Sequence, residues 1–117
     1  MALNIGMVTI DCADPRRLAE FWAEALDMTV VADYGEFVLL GSGNENGVNL
    51  GLQRVPEQRI GKNSVHIDLG GGDRTAEVRR LTELGASIVD EHAVPGLAWT
   101  VLADLEGNQF CVSEHTS

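Results

Sequence analysis

Basic residues are scarce in this chain: eight lysines and arginines stand against 18 aspartates and glutamates, a formal charge of −10 at pH 7. That balance repels nucleic acid and anionic membrane, and it favours cationic small molecules as partners. Long apolar runs are missing too, so no segment has the length of a bilayer span. The opening MALNIGMVTIDC has neither the basic start nor the apolar stretch of a secretory signal, which makes the cytoplasm the expected location. Cysteine is limited to Cys12 and Cys111, which excludes a disulfide framework and a CxxC metal pair. Gly70-Gly71-Gly72 lacks the Lys and Ser/Thr of a phosphate loop and the spacing of a dinucleotide fingerprint, so it reads as a turn from a strand into a helix at Asp73. What is present, 117 residues of which 44% are hydrophobic and 22% charged, suits a single globular domain.

That domain repeats itself once. VTID at Val8–Asp11 returns as VHID at Val65–Asp68, 57 positions on, and Ala19-Glu20 returns as Ala76-Glu77 at the same offset. LDMTVV from Leu26 answers LGASIV from Leu84, FVLL from Phe37 answers WTVL from Trp99, and GVNLGL from Gly47 answers GNQFCV from Gly107. The offset drifts from 57 towards about 60, which places small insertions in loops.

Periodicity gives each half the same order of elements. In the first, Val8, Ile10 and Cys12 alternate with Met7, Thr9 and Asp11, a strand with one apolar face. Asp14-Pro15 opens a helix, with Asp as N-cap and Pro at its first position, and Leu18, Phe21, Trp22, Ala25 and Leu26 form its apolar stripe. Strands are expected at about Met28–Asp33, Glu36–Gly41 and Gly47–Arg54, with turns at Tyr34-Gly35 and in GSGNENG. The second half has a strand at Ser64–Gly70 with His66 in its middle, and a helix from Asp73 to Leu84 ended by Gly85. Strands follow near Ser87–His92, Leu97–Ala103 after a flexible Pro95-Gly96-Leu97 loop, and Asn108–Glu114. The fold class is therefore α/β (α+β), two tandem βαβββ modules at about 3–54 and 64–115 joined by the linker VPEQRIGKN at 55–63.

With DPRRLAEFW at the first helix, VHIDL opening the second module and WTVLADLEGNQF at the last hairpin, this duplicated unit resembles the vicinal oxygen chelate superfamily. It is most similar to the small glyoxalase-like, bleomycin-resistance-like proteins, over about residues 3–114. The resemblance implies two modules whose sheets curl around a shared cavity, usually in a homodimer. It does not imply one reaction, because that fold hosts lyases, epimerases, dioxygenases, thiol transferases and drug-sequestering proteins.

Strand alternation says which side chains could enter such a cavity. If Val65, Ile67 and Leu69 pack on the helix, His66 and Asp68 face the other way. Gln109, Cys111 and Ser113 share that side in the second module, as do Met7, Thr9, Asp11, Asn49, Gly51 and Gln53 in the first. The resemblance further implies that metal-dependent relatives hold a divalent ion through four inward positions, His and Glu from the first and last strand of each module. His66 falls on one of them. The others fall on Met7 (aligning the helices) or Thr9 (following the repeat), on Gly51 and on Cys111, where a carboxylate is expected. His66 with Asp68 offers two ligands, too few for a stable site, so no metal and no cofactor are expected.

His66 and Asp68 form a candidate general-base pair or a ligand anchor. Cys111 is a candidate nucleophile beside His66 or a small buried thiol, with no neighbour in sequence basic enough to lower its pKa. Cys12 and Trp22 read as core. Trp99 lies in a strand apolar on both faces, so alternation leaves ligand stacking and packing both open.

The reading is a metal-free binding protein for a small organic molecule, cationic or aromatic, contacted by His66, Asp68, Thr9, Met7, Gln53, Trp99, Gln109 and Cys111. A superfamily enzyme, metal-dependent or using His66 and Asp68, is the alternative, and an accessory module in a larger assembly a third. A homodimer is expected, because curled sheets leave edges and apolar surface that a chain this small covers poorly alone.

Overall fold

A computed structural model describes residues 5–43, 47–57, 61, 63 and 65–116. The chain divides into two compact units, 1–58 and 59–117. Residues 44–46 of the GSGNENG turn, 58–60 and 62 of the linker, and Ser64 lie outside the described residues.

The first unit runs β1 (Met7–Cys12), α1 (Pro15–Leu26), β2 (Thr29–Asp33), β3 (Phe37–Gly41) and β4 (Asn49–Arg54), with its sheet ordered β1-β4-β3-β2. β1 and β4 are parallel, and the other two pairings are antiparallel. The Asp14 carboxylate accepts from the Arg17 amide, satisfying one of the donors a helix start leaves unpaired, and Pro15 occupies the first turn at no hydrogen-bond cost. Of the expected stripe, Leu18, Phe21, Trp22 and Ala25 are buried, joined by Ala19, and pack against Val38, Leu40, Leu50 and Leu52, while Leu26 at the helix end is half-buried. Phe21 and Trp22 meet edge to face at 5.2 Å, and Cys12 is buried at the end of β1 as expected.

The second unit runs β5 (Asp68–Leu69), α2 (Arg74–Glu83), β6 (Ser87–Val94), β7 (Leu97–Ala103) and β8 (Gln109–His115), with its sheet ordered β5-β8-β7-β6. Asp73 caps α2 through the Ala76 amide. Val78 and Leu81 cover Ala98, Leu102, Phe110 and Val112. Thr100 is also fully buried on this side, where its hydroxyl accepts from the Arg74 guanidinium at 2.8 Å.

Two expectations are corrected here. The strand expected at Ser64–Gly70 is only two residues long, and His66 precedes it. The cause is Asn63: its side-chain amide accepts from the Gln109 N–H at 2.8 Å and donates to the Gln109 carbonyl at 3.2 Å, taking the ladder positions a longer strand would use. Val65, expected to pack on the helix, is 79% exposed. The Pro95-Gly96-Leu97 loop is a two-residue turn in which Gly96 supplies a φ of 87°, and Leu97 already belongs to β7.

The DLEGN segment owes its form to Asp104. This buried carboxylate accepts from the backbone amides of Glu106 and Asn108, both at 2.9 Å, and from the Asn108 side chain. It closes the turn between β7 and β8.

Candidate functional site

Strand parity separates the two faces of the first sheet, and in the second it does so from Asp68 onward, since His66 precedes β5 and Val65 is exposed. In the first, Met7, Thr9, Gly51 and Gln53 lie on the face turned away from α1, and Met7, Thr9 and Gln53 are exposed there. Phe37 joins them: a methyl group placed on Gly51 would stand 2.7 Å from the Phe37 ring and 3.1 Å from the Thr9 hydroxyl. The aromatic ring therefore lies flush on the glycine, and this face is occupied by its own side chains.

The second unit differs at the corresponding positions. Register shows the correspondence, because Thr9 pairs with Gly51 and Asp68 with Cys111. Gly51 and Cys111 are equivalent in the repeat, so Asp68 answers Thr9 and His66 answers Met7, an offset of 59 that also separates the helix starts Pro15 and Arg74. The likeness of VTID to VHID is displaced by two residues from this structural equivalence. Where the first unit has glycine beneath Phe37, the second has the Cys111 thiol, and the aromatic equivalent to Phe37 is Trp99.

Trp99 lies on the helix-free face, since Ala98, Thr100 and Leu102 take the helix side. Its ring stacks on His92 of β6, with centroids 5.2 Å apart and planes 25° from parallel. Two rungs define the face. One runs Asp68, Cys111, Val101, Asp90, and the next holds Ser113, Trp99 and His92. His92 Nε2 lies 3.3 Å from Asp90 Oδ2. Diagonal neighbours on adjacent rungs are about 7–8 Å apart, so Cys111 and Trp99 fall within the span of one small planar molecule.

His66 and Asp68 converge on Cys111: one donor atom from each of the three lies within 4.8 Å of the others. His66 and Asp68 are exposed while Cys111 is buried among the strands. Of the residues expected in the site, His66, Asp68, Cys111, Gln109 and Trp99 share this sheet face, and Met7, Thr9 and Gln53 share the corresponding face of the first unit. His92 and Asp90 were missed. The signal existed, because a two-residue turn at Pro95-Gly96 sets Val94 against Leu97 and hence His92 against Trp99.

A separate groove of about 570 Å³ lies beside α1 and β2, lined by Arg16, Glu20, Glu24, Val30 and Asp33 among others. Arg16 crosses it to bond Asp33 at 2.9 Å. The Gly35 amide and then the Arg16 guanidinium hold the Asp33 carboxyl below its ordinary range. This groove is on the helix side of the first sheet and shares no residue with the helix-free face.

The glyoxalase-like domain model matches residues 7–113. The chain belongs to the glyoxalase-like domain family. Its solved structural neighbours include glyoxalase, bleomycin-resistance and dioxygenase family proteins. One is a glyoxalase/bleomycin resistance protein/dioxygenase family enzyme from Burkholderia phytofirmans PsJN, at TM-score 0.78 and 16% identity over 95% of this chain and 98% of that one. Another is a variant of the fosfomycin resistance protein FosX from Listeria monocytogenes, complexed with Mn(II) and a dihydroxypropylphosphonic acid, at TM-score 0.78 and 11% identity over 96% and 89%. A third is TioX from Micromonospora sp. ML1, at TM-score 0.69 and 19% identity over 97% and 99%. Curated proteins gave no match. No helix of the described residues is long and apolar enough to cross a membrane.

A hard divalent ion of the manganese type does not fit the positions the family resemblance points to. Met7 and Gly51 offer no oxygen or nitrogen side-chain ligand, and Cys111 offers sulfur where a hard ion takes oxygen.

Proposed function

We propose that this glyoxalase-family protein binds a small planar organic compound, aromatic or cationic, against the helix-free face of its second sheet. The observation that carries the reading is the Trp99–His92 stack beside Asp90, with Asp68 on the neighbouring rung across Cys111. An aromatic platform attracts a flat π-system or an organic cation, and the neighbouring carboxylates favour positive charge. The chain's charge of −10 adds a long-range attraction of the same sign. His66 and Cys111 would line the edge of the bound molecule, with Gln109 beyond them. These contacts require no metal ion and no cofactor. In the first unit, Phe37 packed on Gly51 leaves Met7, Thr9 and Gln53 exposed on the corresponding face of its own sheet.

The convergence of His66, Asp68 and Cys111 supports a second reading, an enzyme of the same superfamily in which His66 moves a proton. One experiment separates the two. A panel of planar cationic and neutral aromatic compounds is titrated against the wild type and Trp99→Ala, and each bound compound is recovered and its mass and isomeric form checked. The binding reading expects saturable affinity, a loss of roughly ten-fold or more in Trp99→Ala, and unchanged compound. Equal affinity in Trp99→Ala would refute the platform, and converted compound would favour the enzyme.

A further inference from the structure

We infer that the segment Val65–Ile67 is a strap that closes on β8 when the helix-free face takes its ligand, and that the Asn63 side chain is the wedge holding it open. The internal repeat displays the closed form. In the first unit, where Met7 pairs with Asn49, the backbone N–H of Asn49 donates directly to the Gly6 carbonyl at 3.0 Å. Asn49 answers Gln109 and Gly6 answers Val65, because Gly51 answers Cys111 and Met7 answers His66. The second ladder is built alike as far as the Cys111 N–H, which donates to the Ile67 carbonyl at 2.9 Å. One step on, it changes. The Gln109 N–H donates to Asn63 Oδ1 at 2.8 Å, while Asn63 Nδ2 donates to the Val65 carbonyl at 2.6 Å and to the Gln109 carbonyl at 3.2 Å. One carboxamide therefore stands between two backbone groups whose counterparts meet directly in the first unit.

Both arrangements satisfy Gln109, so neither form strands a partly buried backbone group. When Asn63 withdraws, the Gln109 N–H can meet the Val65 carbonyl and the Ile67 N–H can meet the Gln109 carbonyl, the two bonds of a parallel rung at His66. The strap is free to make them. Val65 and His66 are exposed, and among the described residues the Ile67 N–H has no acceptor. Closing also orders the backbone of Val65 and His66, an entropy cost that makes the open form the resting one. A ligand that grips His66 offsets this cost, since His66 in the closed ladder stands on the helix-free face next to Gln109 and Asp68, as Met7 stands next to Asn49 and Thr9. The trigger rests on the binding reading above, whereas the two-state ladder does not.

The test follows backbone amide exchange by NMR, residue by residue, in the whole chain. Asn63→Ala removes the wedge, so Gln109 regains its partners only by closing, and part of the lost stability stays lost because the strap must be ordered. Without any added compound, Ile67 exchange in Asn63→Ala should be slower than in the wild type by about ten-fold, while Leu69, in the ladder of both forms, gains nothing. Asn63→Asp keeps the acceptor for the Gln109 N–H but loses both donor bonds. It should slow Ile67 by a smaller factor, and it decides the matter if Asn63→Ala does not fold. A purely structural Asn63 predicts the opposite sign, with Ile67 exchange unchanged or faster in the variants, and that result would overturn the two-state ladder. A second arm adds ethidium, which should slow Ile67 exchange in the wild type and bind Asn63→Ala more tightly than the wild type despite the variant's lower stability. Ethidium that shifts the Trp99 signal without slowing Ile67, or that binds Asn63→Ala no more tightly, would overturn the ligand trigger. Ethidium that fails to bind would refute the Trp99 platform and the trigger with it, and the variants alone would then decide the ladder.

Discussion

His66 and Asn63 lie three residues apart, and replacing each by alanine should have opposite consequences. The His66 side chain is exposed and bonds no other described residue, so His66→Ala removes nothing that holds the fold. Its effect on stability should stay within about 0.5 kcal/mol, the usual range for a surface change. Asn63 is different. It accepts from the Gln109 amide, donates to the Gln109 carbonyl, and donates to the Val65 carbonyl at 2.6 Å, so Asn63→Ala leaves the partly buried Gln109 backbone groups unpaired in β8. Two such losses at about 1 kcal/mol each predict roughly 1–3 kcal/mol of destabilisation. Urea denaturation of both variants gives these differences directly, as shifts in midpoint at constant slope. For the ligand of the helix-free face the order reverses: His66→Ala should weaken binding by about 1–3 kcal/mol, roughly 5- to 150-fold. If His66→Ala proves strongly destabilising while affinity holds, His66 is a structural residue and the site assignment is wrong.

Two further outcomes follow from the same contacts. Asp104→Ala should destabilise by about 2–4 kcal/mol, because it strips two backbone amides and the Asn108 side chain of their buried acceptor, and Asp104→Asn should recover part of that; thermal melts without ligand would show it. The protein should run as a homodimer, since Val30, Val31 and Tyr34 at the β2 edge and Ile88, Val89 and Val94 on β6 are exposed and apolar. A monomer mass by light scattering at micromolar concentration would contradict that.

Much of the fold was legible in the sequence because the signals were local. Asp14-Pro15 and Asp73 announced both helix starts, and alternation placed Gly51, Cys111 and Asp68 on the faces they occupy. What periodicity could not show is contact across the chain. Asn63 reaches Gln109, 46 positions away, and by taking its ladder bonds it shortens β5 and frees His66. The VTID and VHID likeness suggested an offset of 57, but strand register sets 59, and only register brings Asp68 beside Cys111. Trp99 remained open because both faces of its strand are apolar, and the stack with His92 follows from hairpin register rather than from composition.

The central claim, that the helix-free face of the second sheet is the binding surface, is tested most directly by the two indole N–H resonances of the protein. Trp22, on the sheet-facing side of α1 in the first unit, is buried and serves as an internal control for Trp99. Titration with a planar cationic aromatic such as ethidium, followed by two-dimensional nitrogen–proton NMR, should move the Trp99 indole signal saturably and leave that of Trp22 in place. A Trp99 signal that stays fixed while the compound binds, or equal movement of both, would contradict the account.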